Sequence, residues 1–223
     1  MTSPRLSSTE VASRIHRVPL IGATAYVILE DEITVIDAGL RGSLPRLHAW
    51  ITSVGRSPQE VRRFVITHAH PDHIGGAAGA HILLHPADRQ RPLRFNAGTI
   101  ARRLSRLPAT IDMADGDVIP ALGGLRVIHT PGHTPGSTCY LAGRILFSGD
   151  VLFPGGPGRT QSPADLQQSI ASITERLYPF PDDTIVLPGH GGDTTIADSK
   201  REYAVFASRE HPPDLHGDVL WEA

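Results

Sequence analysis

The chain has 223 residues, 40% hydrophobic and 20% charged, with a formal net charge of −2. That balance allows a full hydrophobic core and gives no global attraction to nucleic acid or to an anionic membrane. A single cysteine excludes an intrachain disulfide, and no apolar run nears the roughly 18–20 residues that span a bilayer or forms an N-terminal leader. A soluble cytoplasmic protein is the expectation.

In chain order, "TAYVILE" and "ITVIDAG" read as strands joined by a tight turn at Glu30–Asp31–Glu32. Leu44, Leu47, Ile51 and Val54 recur at helical spacing, with Ser43 as N-cap. "RFVIT" is a short buried strand and "AHILLHP" another, closed by Pro86. Residues 89–108, "RQRPLRFNAGTIARRLSRLP", read as an Arg-rich helical insertion. In it Ile100, Leu104 and Leu107 share one face, and Arg102, Arg103 and Arg106 lie away from it. That basic face is either solvated or a wall that attracts an anionic substrate.

The second half repeats the strand-rich texture in "LRVIHT", "STCYLA" and "RILFSGD". A helix is predicted over Gln161 to Tyr178, with Ser162 as cap and Pro163 as first helical residue. "TIVLPGHG" is a last buried strand, Ile196 to Phe206 a helix, and residues 208–223 a proline-containing tail. Nothing resembles an interdomain linker, so residues 1–223 are read as one domain of two similar halves.

Four apolar strands end at polar residues of catalytic or ligand type: His68, His133, Asp150 and His190. In α/β sheets such strand ends gather at ligand sites. The densest cluster is "THAHPDHIGG", with His68, His70, Asp72 and His73 in six residues. Imidazole and carboxylate are zinc-type donors. His68 and His70 point to one side of extended chain, and Pro71 turns Asp72 and His73 toward a neighbouring position. Neither pair completes a tetrahedral site, and His133, Asp150 and His190 are the obvious suppliers. Of the other histidines, His129, His81 and His85 are assigned to strand packing or the outer shell, and His16, His48, His211 and His216 to the surface. Cys139 is read as a buried apolar filler.

"THAHPDHIGG", "HTPGHTPGS", "LFSGDVLF" and "VLPGHG", in that order with "VIDAG" upstream, resemble the metallo-β-lactamase superfamily of metallohydrolases. The resemblance implies an α/β fold, an αββα sandwich. It implies that His68, His70 and His133 bind one metal, that Asp72, His73 and His190 bind a second, and that Asp150 bridges them. Asp37 would orient a ligand histidine from behind. Two divalent ions, zinc foremost with iron or manganese as alternatives, would share a hydroxide that attacks an acyl carbonyl, and Asp72 would orient it. Asp150 and the "GRT" at Gly158–Thr160 are similar to the glyoxalase II-like thioesterases and to persulfide dioxygenases, with Arg159 either a contact for an anionic thioester or a structural residue that bonds loop carbonyls. The 33 residues that follow His190 are too few for the helical C-terminal domain of glyoxalase II proper, so another thiol carrier or acyl compound is expected. A mononuclear-iron persulfide dioxygenase and a lactonase are the alternatives, and β-lactam hydrolysis ranks low.

Overall fold

A computed structural model describes residues 9–89 and 110–222. The chain divides into two compact units, Met1–Met113 and Ala114–Ala223. All of the Arg-rich segment beyond Arg89, with Arg102, Arg103 and Arg106, lies outside the described residues.

The first unit opens with an antiparallel meander, β1 (Thr9–Ala12), β2 (Ile15–Pro19), β3 (Thr24–Leu29) and β4 (Ile33–Ile36). It then turns parallel through β5 (Val61–Val65), β6 (His81–Leu84) and β7 (Thr110–Asp112), giving a seven-stranded sheet in sequence order. Parallel neighbours need crossovers. Helix α1 (Leu44–Ser53) supplies the first, and the short α2 (Pro71–Ile74) lies in the second. One more turn of helix, α3 (Pro86–Arg89), follows β6. Every residue of β4 is buried, as expected of a strand that leads into a parallel sheet and is covered on both faces.

Helix α1 buries Leu47, Trp50 and Ile51, the i, i+3, i+4 stripe that fixes it on the sheet. Val54, assigned to that stripe from its spacing, lies past the helix end and is 41% exposed. Ser43 occupies the N-cap position without capping. Its hydroxyl accepts a hydrogen bond from the Ile21 amide instead, at 3.2 Å.

The second unit has the same plan. β8 (Val118–Ile119), β9 (Leu125–His129), β10 (Thr138–Ala142) and β11 (Ile145–Gly149) pair antiparallel. β14 (Ile185–Pro188) lies parallel to β11, and β15 (Thr194–Thr195) closes the six-stranded sheet. The β11–β14 crossover carries the hairpin β12 (Leu152–Phe153) and β13 (Gly156–Pro157), then α4 (Pro163–Ala171). The helix predicted to run to Tyr178 changes character after Ala171, where Ser172–Leu177 winds as a π-helix. Ser162 caps α4 through the Asp165 amide, as its sequence position predicts. Helix α5 (Ile196–Ala207) is capped by Thr195 through the Asp198 amide.

Cys139 lies fully buried in this unit's core, where burial pushes its thiol up to about 12. Thiolate is therefore negligible at pH 8. Ellman's reagent should leave native protein unlabelled on the timescale in which denatured protein reacts with one equivalent. Fast native labelling would contradict this burial.

Candidate metal centre

The first unit contributes four donors immediately after β5. His68 Nε2 lies 3.0 Å from His70 Nδ1, and His73 Nε2 lies 3.9 Å from Asp72 Oδ2. Proline at the start of α2 makes the division: His70 is extended, and Asp72 and His73 sit on the helical turn that follows. His68 and His73 are buried, while the Asp72 side chain is 30% exposed.

Behind these donors stands Asp37, 2% exposed and held at a positive φ of 59° at the end of β4. Left-handed backbone is uncommon outside glycine, although aspartate tolerates it better than most residues. One carboxylate oxygen accepts the Thr67 amide at 2.9 Å. The other accepts His73 Nδ1–H at 2.7 Å and the Thr67 hydroxyl at 2.9 Å. A carboxylate only accepts, so the Thr67 proton is committed to it. The Thr67 oxygen is then left to accept His68 Nδ1–H at 3.1 Å. Both buried histidines therefore present Nε2 as a lone pair, the tautomer a metal requires.

Asp88 on α3, 3% exposed, accepts the amide of Ala69 at 2.8 Å and pins the peptide between His68 and His70. Neither Thr67 nor Asp88 was singled out from the sequence. Thr67 adjoins the cluster, but its role depends on an aspartate thirty residues away, and Asp88 lies nineteen residues from its partner.

The paired glycines of "THAHPDHIGG" follow α2 and have a steric role. A Cβ on Gly76 would lie 2.1 Å from the Ala38 carbonyl oxygen, and one on Gly75 would lie 2.4 Å from that of Pro71. They let the end of α2 close against the Asp37 turn, where the Ala38 amide donates to the His73 carbonyl at 2.6 Å.

The second unit contributes three donors. Asp150 Oδ2, just past β11, lies 3.6 Å from His133 Nε2 and 3.5 Å from His190 Nε2. His133 donates Nδ1–H to the Arg159 carbonyl at 2.8 Å, so its Nε2 also carries a lone pair. Gly158 makes that contact feasible. A Cβ there would lie 1.9 Å from the Asp150 carbonyl oxygen and 3.3 Å from the His133 ring. The Arg159 side chain is 67% exposed, with its Nε 3.9 Å from the even more exposed Asp218. Arg159 thus meets the centre through its backbone carbonyl. Gly158→Ala should misplace Asp150 and His133 and lower kcat/KM by about 10²-fold, measured by steady-state kinetics with Tm recorded alongside. Unchanged kinetics would refute the close approach.

Two donors bonded to one ion at about 2.0–2.2 Å cannot be more than about 4.4 Å apart. The 3.0 and 3.9 Å separations in the first unit meet that limit, as do 3.6 and 3.5 Å in the second. With Nε2 of His68, His73 and His133 fixed as acceptors, the donor set fits divalent metal.

The family model for the metallo-β-lactamase superfamily matches residues 18–190, most of the chain. The chain belongs to the metallo-β-lactamase superfamily. Within it, the chain is 32% identical to hydroxyacylglutathione hydrolase GloC of Haemophilus influenzae, over 86% of this chain and 99% of that one. Among solved structures, it resembles the BLEG-1 B3 metallo-β-lactamase at 30% identity with a TM-score of 0.66, covering 84% of this chain and 96% of the other. TTHA1623 in a di-iron-bound form is 31% identical with a TM-score of 0.66, covering 82% and 96%. The chain has the metallo-β-lactamase fold, an α/β fold with mixed sheets and helices, and a histidine–aspartate metal site in keeping with a metallohydrolase.

Of the remaining histidines, His211 and His216 are exposed, as read from the sequence, whereas two others read as surface residues are not. His16 is half-buried with its ring 5.4 Å from that of Trp50, and His48 is also half-buried. His211 stacks on Phe206 at 3.8 Å. His81 is exposed at the start of β6, and His129 bonds the Pro135 carbonyl at 2.8 Å. Among the described residues no helix is long and apolar enough to cross a membrane.

Proposed function

We propose that this protein is a two-metal acyl hydrolase, acting on a thioester or related ester. The observation that carries the reading is Asp150, whose Oδ2 lies at nearly equal distance from the metal-facing nitrogens of His133 and His190. A carboxylate so placed suits a bridge between two ions. His68, His70 and His133 would hold the first ion, and Asp72, His73 and His190 the second, with Asp150 on both. Zinc, iron and manganese all suit such donors. When bound, the pair supplies a water activated at neutral pH and a Lewis acid for the carbonyl oxygen.

The chain's own residues do the rest. Asp72, whose side chain is 30% exposed, would use its second carboxylate oxygen to hold and aim the attacking water. Asp37 and Thr67 keep His68 and His73 in the required tautomer, and the Arg159 carbonyl does the same for His133. A thiol leaving group, with an ordinary pKa of about 8.5, departs without a dedicated proton donor. The described centre offers acceptors and metal donors, which suits that leaving group better than an amine.

Support for the thioester class comes from the relative named hydroxyacylglutathione hydrolase. It is matched over 99% of its own length, so the shortness of the chain after His190 is no argument against glutathione as carrier. Cytoplasmic placement suits the single buried cysteine. The test is a panel of glutathione and simpler thioesters, lactones, β-lactams and persulfides, with protein loaded with zinc or iron. Thioesters should give the highest kcat/KM. Preference for β-lactams, or oxygen uptake on persulfides, would overturn the reading.

A further inference from the structure

The tail from residue 208, which the sequence showed only as proline-containing, forms a wall beside the metal-facing residues of its own unit. A groove of about 270 Å3 is lined by His133, Asp150, Phe153, Pro157, Val219 and Leu220, among others. The tail is fastened rather than draped. Thr160 and Gly217 exchange two hydrogen bonds, each 3.1 Å, and the Trp221 amide donates to the Gly155 carbonyl at 2.8 Å. Val219 is 6% exposed and Trp221 is fully buried, with the Trp221 ring 5.2 Å from Tyr203. With Val219 and Trp221 turned inward, Leu220 is held outward at the groove and is 62% exposed.

Two further observations identify what the groove takes. Its walls are aliphatic and aromatic, and its volume lies just below the range of drug-sized pockets, which suits a short or medium chain. The charge at its rim is balanced, because the Arg159 guanidinium lies beside the Asp218 carboxylate at 3.9 Å, and both are exposed. A balanced, solvated pair gives little attraction for an anion.

We propose that this groove receives the uncharged aliphatic acyl chain of the substrate and that Leu220 sets its length preference. The inference rests on the hydrolase reading and adds the chemical class of the acyl group. The acyl carbon would lie at the His133–Asp150 end, and the chain would run along Phe153 and Leu220.

The test is kcat/KM for acetyl, butanoyl and hexanoyl thioesters of N-acetylcysteamine, an uncharged carrier. Wild-type protein, Leu220→Ala and Leu220→Trp would be compared. Burial of each added methylene should raise kcat/KM about two- to fourfold in wild type. Leu220→Ala should flatten the hexanoyl-to-acetyl ratio by at least about threefold, and Leu220→Trp should shift the preference toward acetyl by filling the groove. Leu220 is mostly solvated, so an unchanged Tm should accompany both. If either Tm falls, Leu220→Met gives the ratio with volume nearly conserved, and it should stay close to wild type. Turnover with the same ratio in wild type, Leu220→Ala and Leu220→Trp would overturn this assignment and leave the hydrolase reading intact. No turnover of any thioester by metal-loaded wild type would overturn the hydrolase reading, and this assignment with it.

Discussion

His133→Ala should abolish metal-dependent turnover, lowering kcat/KM by about 10³-fold or more. Loss of a donor forfeits several kcal/mol of stabilisation of the reacting carbonyl, and each 1.36 kcal/mol is tenfold in rate. The ring is 7% exposed and donates to the Arg159 carbonyl, so its removal also frees the loop that Gly158 brings against Asp150. Elemental analysis of purified variant and wild type separates a lost metal from a lost fold, with circular dichroism as the control for folding. Activity retained with full metal content would remove His133 from the centre. Asp150→Ser is the companion experiment. It should mainly weaken the second ion, and an unchanged metal content would contradict a bridging carboxylate.

The second large effect concerns a residue that the proposal keeps off the metals. Asp37→Asn retains an oxygen that can accept the Thr67 amide but presents an NH2 group toward His73. His73 Nδ1 must then accept, its proton moves to Nε2, and the lone pair that faces the metal is lost. Metal affinity should fall about 10–100-fold, the range for lost partners behind a ligand. Stability of the metal-free protein should fall far less in this variant than in Asp37→Ala. The alanine leaves the Thr67 amide and the His73 ring without their acceptor, at about 1–3 kcal/mol for each buried group. A competition titration against a chromogenic chelator, with Tm of both metal-free variants, checks each arm. Equal metal affinity in wild type and Asp37→Asn would show that the tautomer of His73 does not matter.

These two experiments mark where sequence alone was informative. The candidate donors were readable because four of them follow apolar strands, and because His68 to His73 concentrates titratable groups that a surface turn does not need. The partition of that run at Pro71 was also readable, since proline forces the preceding residue out of the helix. What supports the donors was harder to read. Asp37 could be named from its motif, but Thr67 as relay and Asp88 as anchor depend on contacts across nineteen to thirty residues, which leave no local pattern.

Arg159 shows the same limit in another way. Its charge drew attention to the side chain, whereas its backbone carbonyl makes the contact with His133. The tail is the sharpest case. Alternation of Val219, Leu220 and Trp221 over three residues is too short to distinguish from chance, yet the buried Trp221 fixes it and leaves Leu220 at the groove. The glycines after His73 are plain in the sequence, but the steric reason for Gly76, the carbonyl of Ala38, lies in a different loop.

The most direct measurement is a titration of metal-free protein with zinc, and separately with ferrous iron, while thioester hydrolysis and oxygen uptake are followed together. Hydrolysis should rise until two equivalents of metal are bound, with no oxygen consumed. Turnover that is complete at one equivalent of iron and consumes oxygen would contradict the two-metal hydrolase.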